Sequence, residues 1–272
     1  MDISFLAIDP IAIEIGSFKI RWYGILIALG IAVAYVIGQK EAVKRGLHEE
    51  FIPDLLLWAV PISIISARIY YVIMSWDSYA ADPAKIFRIW EGGIAIHGAL
   101  IGAIITAYIF CKKRKVSFFK LADIAAPSIL IGQIIGRWGN FINQEAHGGP
   151  VSRTFLENLF LPDWIIEQMY IKRIGSYVHP TFLYESLWNL IAFVILLFAR
   201  KWNWRRGEMF LFYIFWYSLG RFFIEGLRTD SLYLVGDLRS AQVVSIIGIV
   251  VAITLFVYRR LNVKPVVRYL DK

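Results

Sequence analysis

Residues 121–149 read LADIAAPSILIGQIIGRWGNFINQEAHGG, from Leu121 to Gly149. Positions 121–138 form an apolar run long enough to cross a bilayer as a helix. The run does not give way to an ordinary loop. Arg137, Asn140, Asn143 and Glu145 follow one another at its end, with Gly136, Gly139, Gly148 and Gly149 interleaved. A guanidinium, two amides and a carboxylate are expensive at membrane depth unless they have partners or a task. The glycines let the backbone turn tightly or approach a ligand closely. The stretch therefore reads as a membrane helix that ends in a site for a polar group.

Working outward, six more segments have the same apolar character: 20–38, 54–74, 94–111, 181–199, 208–226 and 240–258. Each matches the roughly 17–25 residues a spanning helix needs. The chain is 58% hydrophobic and 18% charged, and the charges gather between the runs. These observations predict an all-α integral membrane protein, a polytopic bundle of about seven transmembrane helices. It forms one membrane domain over residues 1–272, with a small outer-face cap at 140–180 between the fourth and fifth helices. That segment is too apolar for a disordered linker, with Phe155, Leu156, Phe160, Trp164 and Ile165 among its residues. No internal repeat is evident, which weakens a transporter built from inverted halves.

Orientation follows from lysine and arginine in the loops. One set of loops, with the C-terminal tail, carries 17 basic residues and the other carries 9. The tail is thus expected in the cytoplasm and the N-terminus outside. The N-terminal stretch lacks a basic region and a cleavage site, so the first helix is expected to serve as an uncleaved insertion signal. Three basic residues remain, Arg68, Arg137 and Arg221, within or at the ends of apolar runs.

The formal charge of +8 is explained by basic residues flanking helices, so nucleic acid is not implied. Cys111 is the only cysteine, which excludes an intrachain disulfide and suits a small buried apolar role. No two of His48, His97, His147 and His179 stand at metal-ligand spacing, and no phosphate-binding Gly-Lys-Ser/Thr loop occurs. Neither a metal nor an organic cofactor is expected.

Arg137 with Asn140, Asn143 and Glu145 has two readings. One is a clamp for an anionic phosphate, since the guanidinium fork binds two oxygens at once. The other is an Arg137–Glu145 pair that pins the helix end. Tyr217, Arg221 and Glu225 recur every four residues and share a helix face, with Arg228 extending the stripe. There too a ligand site competes with an internal ion pair. His97 is the one histidine in an apolar run, either a packing residue or, by its ordinary pKa, a general base. Tyr23 and Trp22 read as interfacial anchors. Tyr184 and Glu185, after His179-Pro180, read as structural support in a polar interior, and Arg68 as the partner of a carboxylate.

At these residues the chain resembles the bacterial prolipoprotein diacylglyceryl transferases. The likeness rests on Gly136 to Gly148, on Gly92-Gly93 with His97-Gly98, on His179-Pro180-Thr181 with Tyr184-Glu185, and on Tyr217, Arg221, Glu225 and Arg228. It implies transfer of a diacylglyceryl group from phosphatidylglycerol to the lipobox cysteine of a prolipoprotein signal peptide, releasing glycerol phosphate. It implies a multi-pass protein of the bacterial cell membrane with its active site near the outer leaflet. His97, Arg137 and Arg221 would be catalytic. Arg137, Asn140, Asn143, Glu145, Gly148, Tyr23, Tyr217 and Glu225 would bind substrate, and membrane lipid would surround the whole. Three rivals stand beside it: an anion carrier or channel using the same arginines as a filter, another enzyme acting on phospholipid head groups, and a structural or assembly protein, which would leave three near-membrane arginines without a purpose.

Overall fold

The computed structural model describes residues 7–16, 18–230, 233–235 and 238–271. In chain order, a hairpin of β1 (Ile11–Ile15) and β2 (Phe18–Arg21) leads into α1 (Trp22–Lys44) and α2 (Phe51–Met74). A short helix, α3 (Asp77–Ala80), and two 3₁₀ turns (Pro83–Phe87 and Ile89–Glu91) precede α4 (Ile96–Lys113) and α5 (Phe118–Ile142). Next come β3 (Pro150–Val151), α6 (Arg153–Asn158), α7 (Asp163–Gln168), β4 (Tyr170–Ile171) and β5 (Ser176–Val178). The chain continues through α8 (Thr181–Ala199), α9 (Glu208–Glu225), β6 (Tyr233–Val235), β7 (Leu238–Arg239) and α10 (Ser240–Asn262).

Each of the seven apolar runs lies largely within a long helix, although Ile20 and Arg21 belong to β2 and Ile94 and Ala95 precede α4. Six of these helices, α1, α2, α4, α5, α8 and α10, are long and apolar enough to cross a membrane. The exception is α9, which carries Glu208, Arg221 and Glu225 in its 18 residues. Large apolar side chains on the long helices stay uncovered, among them Leu57 at 70% and Val250 at 57% exposure. Such surface suits lipid and would promote aggregation in water. The protein is a polytopic, mainly helical membrane protein. The short strands are an addition to the expected all-helical plan. The alternation of Ile11, Ile13 and Ile15 marks β1, and Gly16, at φ 59°, follows it.

The chain divides into two compact units, Met1–Gly38 with Asp123–Asp271, and Gln39–Ala122. In the first unit small residues let helices approach closely. A Cβ on Gly30 of α1 would lie 3.5 Å from the Cα of Gly132 in α5. Trp188 of α8 and Trp216 of α9 stack with centroids 4.6 Å apart. Each indole N–H donates to the other residue's carbonyl, at 2.8 and 2.9 Å. Asp123 explains a carboxylate inside the α5 run. It accepts from the backbone N–H groups of Gly207 (2.6 Å) and Phe210 (3.0 Å), capping the start of α9. Between α5 and α8, β3, β5 and β4 form a three-stranded sheet. With α6 and α7 it packs around Leu156, Ile165, Ile166 and Val178, and onto Phe141 and Phe182 of the flanking helices.

In the second unit α2 packs on α4. Gly98 and Gly102, one turn apart, face Ser66, and a Cβ on either would collide with it. Arg68 is buried, and its partners are not the carboxylate expected from the sequence. Its guanidinium donates to the carbonyls of Lys85 (2.6 Å), Ile86 (2.9 Å), Gly92 and Gly93 (both 2.7 Å), and more weakly to Arg88 (3.4 Å). Gly92 and Gly93 take φ values of 92° and 77°, which L side chains rarely adopt, and this turn leads into α4.

Candidate active site

The site forms in the first unit, where α5 ends, α8 begins and α9 ends. The loop after α5 is stitched to both neighbours. Gly148 N–H donates to His179 (3.1 Å) and Gly149 N–H to Leu227 (3.2 Å), while Thr229 N–H reaches His147 (3.4 Å). A Cβ on Gly148 would lie 2.6 Å from that of His179, so glycine is required for this approach. Gln144 and Ala146 sit at φ 52° and 57°, uncommon for non-glycine residues. Their surroundings hold them there. Gln144 Nε2 donates to the carbonyls of Gln168 (2.7 Å) and Tyr170 (3.2 Å), and Thr181 Oγ1 donates to that of Ala146 (2.5 Å).

This stitching brings Arg137 and Arg221 onto one carboxylate. Arg137 Nη2 lies 2.6 Å from Glu185 Oε2, and Arg221 Nη1 lies 2.9 Å from Glu185 Oε1. The second Nη of Arg221 reaches Glu225 Oε2 at 2.6 Å, along the predicted i,i+4 stripe. Arg228 stands 3.9 Å from the same oxygen and binds Asp230 through two hydrogen bonds of 3.0 and 2.8 Å. Arg239, at the start of α10, donates to the backbone carbonyl of Glu225. Glu185 and Glu225 are nearly inaccessible, while the side chains of Arg137 and Arg221 keep 18% and 16% exposure. Removing one partner from such a buried pair typically costs 3–5 kcal/mol.

Glu145 is not the partner of Arg137. It accepts from Asn140 Nδ2 (2.9 Å) and Asn143 Nδ2 (3.4 Å), while Asn140 Oδ1 accepts from Arg137 (3.3 Å). Asn140 thus links the guanidinium to the acid indirectly, and with Glu145 it lines a crevice shared by Gln144, His147 and Thr181. Tyr23 lies on Gly139: a Cβ there would be 2.6 Å from its ring. Tyr217 stacks on Tyr213, 6.0 Å between centroids, whose hydroxyl accepts from Gln133 at 3.0 Å. His179 faces the Tyr184 hydroxyl at 3.2 Å, and burial holds its pKa below the ordinary value, favouring the neutral ring.

The first unit therefore gathers Arg137, Asn140, Asn143, Glu145, Gly148, Tyr23, Tyr217, Arg221 and Glu225. His97 belongs to the second unit, exposed at the start of α4, with its ring 6.0 Å from that of Tyr70. Glu185, expected as structural support in a polar interior, is the acid both arginines share, and Asp230 was not singled out. The signal for Glu185 was the one that marked Arg137: a charge in an apolar run must meet its opposite.

The arrangement brings guanidinium forks, amides and carboxylates together on helices that carry uncovered apolar side chains. A family model for prolipoprotein diacylglyceryl transferase matches residues 10–258. The chain belongs to that family. Similar proteins carry the name phosphatidylglycerol–prolipoprotein diacylglyceryl transferase. One from Lysinibacillus sphaericus is 69% identical over 271 residues, covering 100% of this chain and 99% of that protein. One from Shouchella clausii is 60% identical, with 97% and 94% covered. One from Geobacillus kaustophilus is 56% identical over the full length of both.

Proposed function

We propose that this chain transfers the diacylglyceryl group of phosphatidylglycerol to the lipobox cysteine thiol of a prolipoprotein signal peptide. The observation that carries the reading is the convergence of Arg137 and Arg221 on Glu185, since it puts two guanidinium forks within one phosphate's reach. The family match and the names of its relatives support the same substrates.

In the proposed step the cysteine sulfur attacks the glyceryl carbon that bears the phosphate ester. A C–S bond forms, the C–O bond breaks, and glycerol phosphate leaves with the bonding electrons. The thiol proton passes to a base, for which His97 is proposed. Arg137 and Arg221 bind the phosphate and stabilise the charge that grows on the departing oxygen. Fixed donors of this kind commonly supply 10²–10³ in rate. Asn140, Asn143 and Glu145 shape the pocket for the glycerol head, Glu225 aims Arg221, and Tyr23, Tyr217 and Gly148 frame the site.

The proposed topology has seven spans, with α9 as the sixth, its charges satisfied inside the first unit. The excess of basic residues on the opposite loops supports an outer-leaflet site, an outer N-terminus and a cytoplasmic tail. Phosphatidylglycerol would keep its acyl chains in lipid while its head group reaches the arginines.

The test uses purified protein, phosphatidylglycerol and a synthetic lipobox peptide, with mass spectrometry of the peptide and assay of free glycerol phosphate. Adduct and glycerol phosphate in equal amounts are expected. Glycerol phosphate without adduct would make the protein a lipid hydrolase, and neither product from folded protein would favour an anion carrier.

A further inference from the structure

Within the site Arg137, Arg221 and Arg228 pair with Glu185, Glu225 and Asp230. Within that set Glu185 is unlike the others. Glu225 lies one turn from Arg221 on the same helix, and Asp230 lies two residues from Arg228, so both are local partners. Glu185 comes from α8 and joins α5 to α9, one oxygen on each arginine. Two oxygens of one acid, each taken by a different guanidinium, is also how a phosphodiester would be held.

Resting on the proposed transfer, we propose that Glu185 is a resident counter-anion that the phosphate of the incoming lipid displaces from Arg137 and Arg221. Before lipid arrives it neutralises and aligns two arginines that would otherwise be buried close together with like charge. When the phosphate takes their N–H groups, Glu185 gives up its two contacts, and after transfer it competes with glycerol phosphate for them. The residue thereby weakens anion binding in the ground state and speeds product release. It is a positioning residue, since it acts through the arginines and not on the reacting atoms.

This assignment makes a prediction opposite in sign to that of a scaffold. Glu185→Gln keeps the side chain's shape and one acceptor but removes the competing charge. The KM for phosphatidylglycerol and the inhibition constant of glycerol phosphate should each fall roughly three- to tenfold, with kcat falling as release slows. A scaffold role predicts that both constants rise as the arginines lose alignment.

The experiment measures the two constants and kcat in mixed micelles for the wild type, Glu185→Gln and Glu185→Asp. The aspartate keeps the charge but is too short to span both arginines, so its KM should fall less than that of the glutamine variant. It also serves if the glutamine variant does not fold. A KM in Glu185→Gln, or failing that in Glu185→Asp, that is unchanged or raised overturns the inference. Equilibrium binding of phosphatidylglycerol, followed by tryptophan fluorescence, needs no turnover and separates the two ideas. Absence of adduct with wild-type protein defeats the transferase reading, whereas unaltered or weaker lipid binding by the variant defeats the counter-anion.

Discussion

Replacing Gly139 with alanine perturbs the site without touching a charged group. The added Cβ would lie 2.6 Å from Cδ2 and 3.1 Å from Cε2 of Tyr23. Carbon atoms in contact prefer about 3.5–4.0 Å, so ring and helix must separate by about 1 Å. Forcing one methyl into such a contact costs about 1–3 kcal/mol. That corresponds to a fall of several degrees in Tm for a two-state domain of this size. Gly139 stands between Arg137 and Asn140, so the shift moves the clamp itself. A displacement of about 1 Å at reacting groups can cost about 10²-fold in rate. The assay is a double-mutant cycle with Tyr23→Ala, reading Tm and kcat/KM of peptide lipidation. Tyr23→Ala alone removes the ring, and Gly139→Ala added to it should cost little more stability. Additive losses, or a Gly139→Ala protein as stable and active as wild type, would refute the steric argument.

Arg221→Lys should fold but lose about 10²–10³ in kcat, because one ammonium cannot replace a fork that reaches both Glu185 and Glu225; single-turnover lipidation checks this. Arg68→Gln leaves backbone carbonyls of residues 85–93 without a donor and should cost about 3–5 kcal/mol, read as lowered Tm and proteolytic nicking of that loop. Asp230 is held below the usual carboxylate range by its hydrogen bonds from Arg228. Its contribution should therefore be present above the ordinary aspartate pKa, about 3.9, and disappear as pH falls through the lower folded value. The stability gap between wild type and Asp230→Asn should accordingly be constant from pH 7 to 5 and close in acid, as followed by thermal unfolding across that range.

The spanning helices were legible because a bilayer imposes a length and composition that few other structures share. The helix α9 was visible as the apolar run 208–226, although Glu208, Arg221 and Glu225 set it apart from the six. Arg137 and Arg221 stood out by the cost of burying a guanidinium in lipid. Their partner did not, because Glu185 lies far from both in sequence and chain proximity favoured Glu145. Geometry gave Glu145 to the two asparagines instead. Arg68 was expected to find an acid, yet a turn at Gly92 and Gly93 supplies carbonyls, an option that charge counting overlooks. The β1–β2 hairpin was hidden because β2 runs without a break into the apolar segment of the first helix. The glycines were recognised as permitting close approach, but which surfaces approach, Tyr23 on Gly139 and His179 on Gly148, depends on tertiary packing.

The central claim is that Arg137 and Arg221 hold one phosphate together. It is tested most directly by solid-state NMR with arginine labelled with ¹⁵N and one equivalent of phosphatidylglycerol in a phosphorus-free detergent. The account predicts ³¹P dephasing of the guanidinium nitrogens of two arginines, with one signal lost in Arg137→Lys and the other in Arg221→Lys. Dephasing that survives both substitutions, or that never involves more than one arginine, would contradict it.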